Sequence, residues 1–129
     1  MRIHFSRAWK VFFAVIAIPA AIALWLAASP ARGYIVAQYD TMTGHYEVQS
    51  FGLPAEWRPI YARILKNKYG VQHRVVAGCE VTPWLVGYVR AYNQVSKEKI
   101  NRKYGRDIFK ECAALAEAEY GKIKTETNQ

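Results

Sequence analysis

The chain has 129 residues, with 18 Lys and Arg against 10 Asp and Glu, a formal net charge of +8. Two cysteines and three histidines exclude a cysteine-dense scaffold and a His-rich metal tract. Four basic residues, Arg2, Arg7, Lys10 and Arg32, lie in or just after an apolar leader, so the rest carries 14 basic against 10 acidic residues, an ordinary surface for one small domain.

Residues 1–32 have the composition of a membrane anchor or a signal peptide. Met1 to Lys10 is short and basic, and Val11 to Ala28 is an uncharged run of 18 residues. As a helix that run reaches about 27 Å, close to the roughly 30 Å hydrocarbon core of a bilayer. Phe5, Trp9 and Trp25 fall near its ends, where amphipathic rings favour the interface. Pro19 removes one backbone hydrogen bond and predicts a kink that membrane helices tolerate. The alternative is a cleavable leader, with Ser29-Pro30-Ala31 supplying small residues for cleavage after Ala31. In both readings Arg2, Arg7 and Lys10 stay cytoplasmic and the remaining chain is exported. For a bacterial protein this means an inner-membrane single-pass chain with its domain in the periplasm, or a soluble periplasmic or secreted domain after cleavage.

The exported part reads as an α+β domain over residues 33–121, followed by a polar tail at 122–129. Tyr34 to Tyr39 and His45 to Phe51 carry β-favouring residues, and Asp40 to Gly44 supplies turn residues between them, which predicts a β-hairpin. Pro59 to Tyr69 has Ile60, Ile64 and Leu65 at helical spacing, Lys66 and Lys68 in its last turn, and Gly70 as a stop. Val71 to Ala77 predicts a third strand. Thr82-Pro83 is a strong helix start, a capping hydroxyl followed by a proline suited to the first turn. Asn93 to Ser96 is expected to interrupt that helix, with a second segment from Lys97 to Tyr104 ended by Gly105. Asp107 is expected to cap a last helix with Ile108, Cys112, Leu115 and Ala116 on its apolar face. The domain thus holds three to four helices.

Export bears on Cys79 and Cys112. In an oxidising compartment, two cysteines in a small domain are expected to pair. The bridge would close a loop of 34 residues, for which chain entropy gives about 4 kcal/mol. Two separate thiols or a reactive Cys79 are the alternatives.

No catalytic or cofactor motif emerges. His45 and His73 lie in the predicted strands, and with Glu47, Glu80 or a cysteine they offer zinc-ligand types, but at no compact metal spacing. Gly70, Gly78 and Gly87 are isolated and form no phosphate loop. The chain calls for neither a metal nor a cofactor. Lys97, Lys99, Arg102, Lys103, Arg106 and Lys110 form a basic cluster within 14 residues. It reads either as a solvated helix face or as a contact for an acidic partner or anionic lipid, and export argues against nucleic acid. Exposed Tyr34, Tyr39 and Tyr46, with an open hairpin edge, would suit a protein partner.

The expectation is a non-enzymatic interaction protein of the cell envelope, an accessory subunit of a membrane-associated secretion, conjugation or respiratory assembly. Its membrane contact would be residues 11–28 if they are retained. A periplasmic inhibitor or immunity protein, or a small exported thiol enzyme or hydrolase, is the alternative.

Overall fold

The computed structural model describes the backbone of residues 7–127 and the side chains of residues 13–127. Arg2, His4 and Phe5 lie outside the described residues, as do the side chains of Arg7, Trp9 and Lys10. In chain order the elements are α1 (Arg7–Ala27), α2 (Ser29–Met42), β1 (Glu47–Phe51), α3 (Arg58–Tyr69), β2 (Gln72–Ala77), α4 (Pro83–Tyr104) and α5 (Ile108–Thr127).

The expected hairpin is absent from this region. Tyr34 to Tyr39 belongs to helix α2, and β1 pairs instead with β2, in parallel, from Glu47 opposite Gln72 to Phe51 opposite Ala77. The two strands and intervening α3 form one β-α-β unit. The sequence misleads because Tyr, Ile and Val at 34–36 favour strands. A different period decides the outcome. Ser29, Gly33, Ala37 and Thr41 recur every four residues, and all four are buried. Small residues at that spacing let two helices approach closely. The partner is α4, and this is the most extensive contact between elements. A Cβ on Gly33 would lie 2.2 Å from the Tyr88 carbonyl oxygen, and one on Gly87 would lie 3.2 Å from the Pro30 ring. Ala37, Tyr92 and Val95 form a small core between the helices, with Tyr88 packed against it. The Tyr92 hydroxyl donates to Asp40 at 2.7 Å.

The second and larger core joins the sheet, α3, α5 and the C-terminal half of α4. Val48, Leu65, Val71, Ile100, Ile108 and Cys112 are its buried centre. Helix ends follow local chemistry. Gly70 and Gly105 take left-handed conformations after α3 and α4. The Thr82 hydroxyl accepts from the Leu85 amide at 3.3 Å, and the Asp107 carboxylate accepts from the amides of Phe109 and Lys110.

Two further expectations are corrected. Asn93 to Ser96 does not interrupt α4, which is continuous over Pro83–Tyr104. The side chains of these residues turn toward β1. Asn93 accepts from the Gln49 amide at 2.8 Å and donates to the Gln49 carbonyl at 2.6 Å, and the Ser96 hydroxyl donates to the Glu47 carbonyl. Polar side chains of a helix thus complete the edge of β1 that β2 leaves unpaired, so this edge is closed to a partner strand. The tail expected from residue 122 is instead the last part of α5, which continues to Thr127.

Helix α1 runs through Pro19 without a break. Every residue from Phe13 to Trp25 is exposed, on all sides of the helix. The joint to α2 is one residue, Ala28, whose amide donates to Leu24 and whose carbonyl accepts from Arg32. Two hydrogen bonds thus span the joint, Pro30 has no amide to add to them, and the axis bends by 55°. Among the described residues no single helix is long and apolar enough to cross a membrane, but Phe13–Ala27 with Ser29–Met42 pass that test together as a bent pair, by length and composition.

The close approach makes a direct prediction. Gly33→Ala should destabilise the fold by about 1–3 kcal/mol, because the new methyl meets backbone and forces α2 off α4. Gly121→Ala, which meets nothing within 4 Å in helix α5, should be neutral or stabilise by up to about 1 kcal/mol. Chemical denaturation of both variants in one detergent measures the difference.

Candidate functional site

The α+β domain has a cleft where β1, the first turn of α3, α4 and α5 meet. Its volume is about 230 Å³. Val48 and Ala113 supply apolar lining. Trp57, Tyr61 and His73 form one wall, with Trp57 and Tyr61 edge to face at 5.8 Å and Tyr61 and His73 at 5.6 Å. Arg58 and Lys97 add two cations, and Gln49 and Ser50 complete the lining. A second cleft of about 460 Å³ shares Gln49, Ser50 and Lys97 and brings Arg90 to its lining. Neither cleft has an Asp or Glu in its lining.

Hydrogen bonding in this region is incomplete. Among the described residues four buried side-chain atoms lack a partner: Arg32 Nε, Gln49 Oε1, Ser50 Oγ and Arg58 Nη1. Three of the four belong to residues that line the first cleft, so the deficit is concentrated there. Buried polar atoms normally find partners, and clustered exceptions point to a binding role or to water. The Gln49 side chain is oriented, because its amide Nε2 donates to Glu47 Oε1 at 2.9 Å. Its oxygen is left as an acceptor. Glu47, itself buried, also meets His45 at 3.4 Å and Arg74 at 3.8 Å.

Burial, followed by the positive charges of Arg58 and Lys97, lowers the His73 pKa and favours the neutral ring. Burial pushes the Tyr61 hydroxyl up to about 12, so it remains protonated and available as a donor. Ser50 and His73 make no hydrogen bond to each other, and the arrangement presents donors rather than a nucleophile with its base. Among the described residues no three His, Cys, Asp or Glu side chains group as a metal site.

The other residues singled out from the sequence are dispersed. Cys79 is exposed in the segment after β2, Cys112 is buried in the main core, and both are free thiols, so the expected bridge is not formed in this structure. Burial and the neighbouring Glu111 carboxylate raise the Cys112 pKa, which disfavours a thiolate. Of the basic cluster, Lys97 lines both clefts and lies 5.4 Å from the Phe109 ring. Lys99 and Arg102 line a groove between α4 and α2, where Arg102 also pairs with Glu98 at 2.7 Å. Lys103 lies 4.1 Å over the Tyr46 ring, Arg106 meets Tyr69 and Glu111, and Lys110 is exposed. The six cations therefore serve several local contacts. Lys68 and Tyr69 donate to Glu111, and with Arg106 they hold its carboxyl below the usual range.

Of the residues lining the first cleft, the sequence singles out His73 only as a zinc-ligand type and Lys97 only as one of the basic cluster; Gln49, Ser50, Arg58 and Tyr61 carry no such signal. Their one shared signal is local: Trp57-Arg58-Pro59 opens a helix immediately after a strand and turn. Comparison with protein-family models, curated proteins and solved structures found no match.

Two measurements test these assignments. With a thiol-reactive dye and no reductant, Cys79 should label at once and Cys112 only on unfolding; two rapid labels would contradict the burial, and none before reduction would reveal a bridge. The lowered His73 pKa also fixes a sign. The unfolded chain takes up this proton first, so the contribution of His73 to stability is present above about pH 6.5 and is lost as pH falls below it. Denaturation midpoints for His73→Gln should vary less with pH between 7 and about 5 than those of the parent.

Proposed function

We propose that the chain is a membrane-anchored, non-enzymatic interaction protein of the cell envelope, an accessory subunit of a membrane-associated assembly. α1, whose full 21 residues from Arg7 to Ala27 reach about 32 Å, crosses the bilayer with its N-terminus in the cytoplasm, and the α+β domain lies outside it. The observation that carries this reading is the uninterrupted exposure of Phe13 to Trp25. Phe13, Val15, Ile16, Ile18, Ile22 and Leu24 present large apolar side chains on several sides of one helix. A helix apolar all round needs lipid or other helices around it.

Two features support retention of the leader. Helix α2 begins at Ser29 and contains Ala31, so cleavage after Ala31 would remove its first turn. That turn includes buried Ser29 and the Pro30 ring packed near Gly87. At the outer end of α1 the Arg32 guanidinium lies 4.1 Å over the Trp25 ring, an amphipathic pair suited to the headgroup region. Arg2, Arg7 and Lys10 on the other side favour the proposed orientation. On the outward side of α2, exposed Ile35, Tyr39 and Met42 continue an apolar stripe toward the domain and suit a protein contact near the membrane.

Exposed Cys79 is a built-in reporter. In intact cells a membrane-impermeant maleimide should label Cys79 of the full 14.7 kDa chain, and alkaline carbonate should leave that chain in the membrane pellet. A soluble product lacking the first 31 residues would overturn the anchor. Crosslinking in native membranes should then recover a defined complex; an anchored chain that yields none would refute the accessory-subunit reading.

A further inference from the structure

The two outer edges of the sheet are treated differently. Asn93 and Ser96 close the edge of β1. Among the described residues β2 pairs with β1 alone, so its other edge is open. The Gln72 amide turns toward β1 and donates to the Tyr46 carbonyl at 2.9 Å. Successive residues of a strand turn their amides and carbonyls to opposite edges, so those of His73 and Val75 face away from β1. Backbone hydrogen bonds from outside the ladder reach β2 only at its two ends, Gln72 and Ala77. Gln72, Arg74 and Val75 are exposed, Val75 by 53%. An edge of this kind is a template for one more strand.

The flanks indicate what that strand carries. Between β2 and α3 lies a groove of about 390 Å³, lined by Arg63, Lys66, Asn67, Gln72 and His73 among others, with no Asp or Glu. Arg63 pairs with Glu119, and Lys66 is exposed. Side chains alternate along a strand, so Arg74 points to the face opposite His73. Its side chain is 66% exposed, beside a 3.8 Å contact with Glu47. β2 itself holds no carboxylate. A second copy of β2 would bring the same cations against these, which is unfavourable, whereas a strand bearing carboxylates meets opposite charge on both flanks. Val75, between them, offers a β-branched neighbour to an apolar residue.

We propose that the outer edge of β2 is a docking site for an extended acidic segment of a partner protein, which adds a third strand to the sheet. The segment bonds to the backbone of His73 and Val75 and sets its carboxylates against Lys66 and Arg74. The proposal rests on the reading of this chain as an interaction protein and names the surface it uses.

The probe is a capped, dye-labelled peptide of alternating residues, (Val-Glu)3, titrated with the full-length protein in non-ionic detergent and read by fluorescence anisotropy. Binding should saturate and weaken as salt rises. The (Val-Lys)3 peptide should bind at least about tenfold more weakly. (Val-Glu)3 with its central amides N-methylated keeps every charge but cannot extend the ladder, and it should not saturate. Val75→Pro removes an edge donor that no bond to β1 uses, a position where proline is tolerated, and should abolish binding in a folded protein. Lys66→Glu, at an exposed helix position, should weaken binding by about fivefold. The peptide comparisons use the unmodified protein, so they hold whether or not a variant folds. No saturable binding of (Val-Glu)3 would overturn the proposal, as would equal binding of the lysine or the N-methylated peptide, or unchanged affinity in folded Val75→Pro. A parent dimer that Val75→Pro dissociates would put a second copy on this edge and overturn it too. A complex crosslinked in native membranes without peptide binding sinks the strand proposal alone, and peptide binding without such a complex sinks the accessory-subunit reading alone.

Discussion

The architecture depends on the distance between α2 and α4. Gly33 sits where any side chain would strike the Tyr88 carbonyl, and the stripe from Ser29 to Thr41 keeps that closeness over the whole of α2. Close backbone approach lets Ala37 join Tyr92 and Val95 in a dry contact, with the Tyr92–Asp40 hydrogen bond at one end. Dispersion between well-fitted atoms adds up over such a contact although each pair contributes little. Helix α4 is then committed on two sides. It carries α2 through small residues and completes β1 through Asn93 and Ser96. A sheet of two strands is a weak unit alone, and here its second edge is satisfied by helix side chains.

The same helix links the fold to the clefts. Gln49 is held from the backbone by Asn93 and from the side chain by Glu47. Lys97, one turn after Asn93, reaches both clefts from α4. Arg58 and Tyr61 come from the first turn of α3, which follows β1 directly in the β-α-β unit. The residues lining the clefts thus stand mostly on regular elements, which hold side-chain geometry more tightly than loops do.

Much of the C-terminal half was legible in the sequence because its signals are local. The Thr82-Pro83 start, the glycines after Tyr69 and Tyr104, and the Asp107 cap each act within one helical turn. What failed was non-local. Tyr34 to Tyr39 has strand composition, and only the four-residue spacing of Ser29, Gly33, Ala37 and Thr41, matched to a helix some fifty residues away, explains why it is helical. Asn93 and Ser96 read as helix breakers because such side chains compete for backbone hydrogen bonds. They do compete here, but for the backbone of β1. The cleft was invisible for a related reason: Gln49, Ser50 and Tyr61 are unremarkable residue types until the chain folds their polar atoms away from water.

The joint at Ala28 has a mechanical meaning. A domain on a disordered linker samples a hemisphere and meets partners at any angle. Here two backbone hydrogen bonds, Ala28 to Leu24 and Arg32 to Ala28, span the joint, and the first residue after it is already packed near Gly87 of α4. In a bilayer the helix and the domain would turn together as a crank, so a roll of α1 among neighbouring membrane helices would swing the domain through an arc set by the 55° bend. In that setting, reach and bearing would be restricted to partners seated in the same membrane, close beside α1.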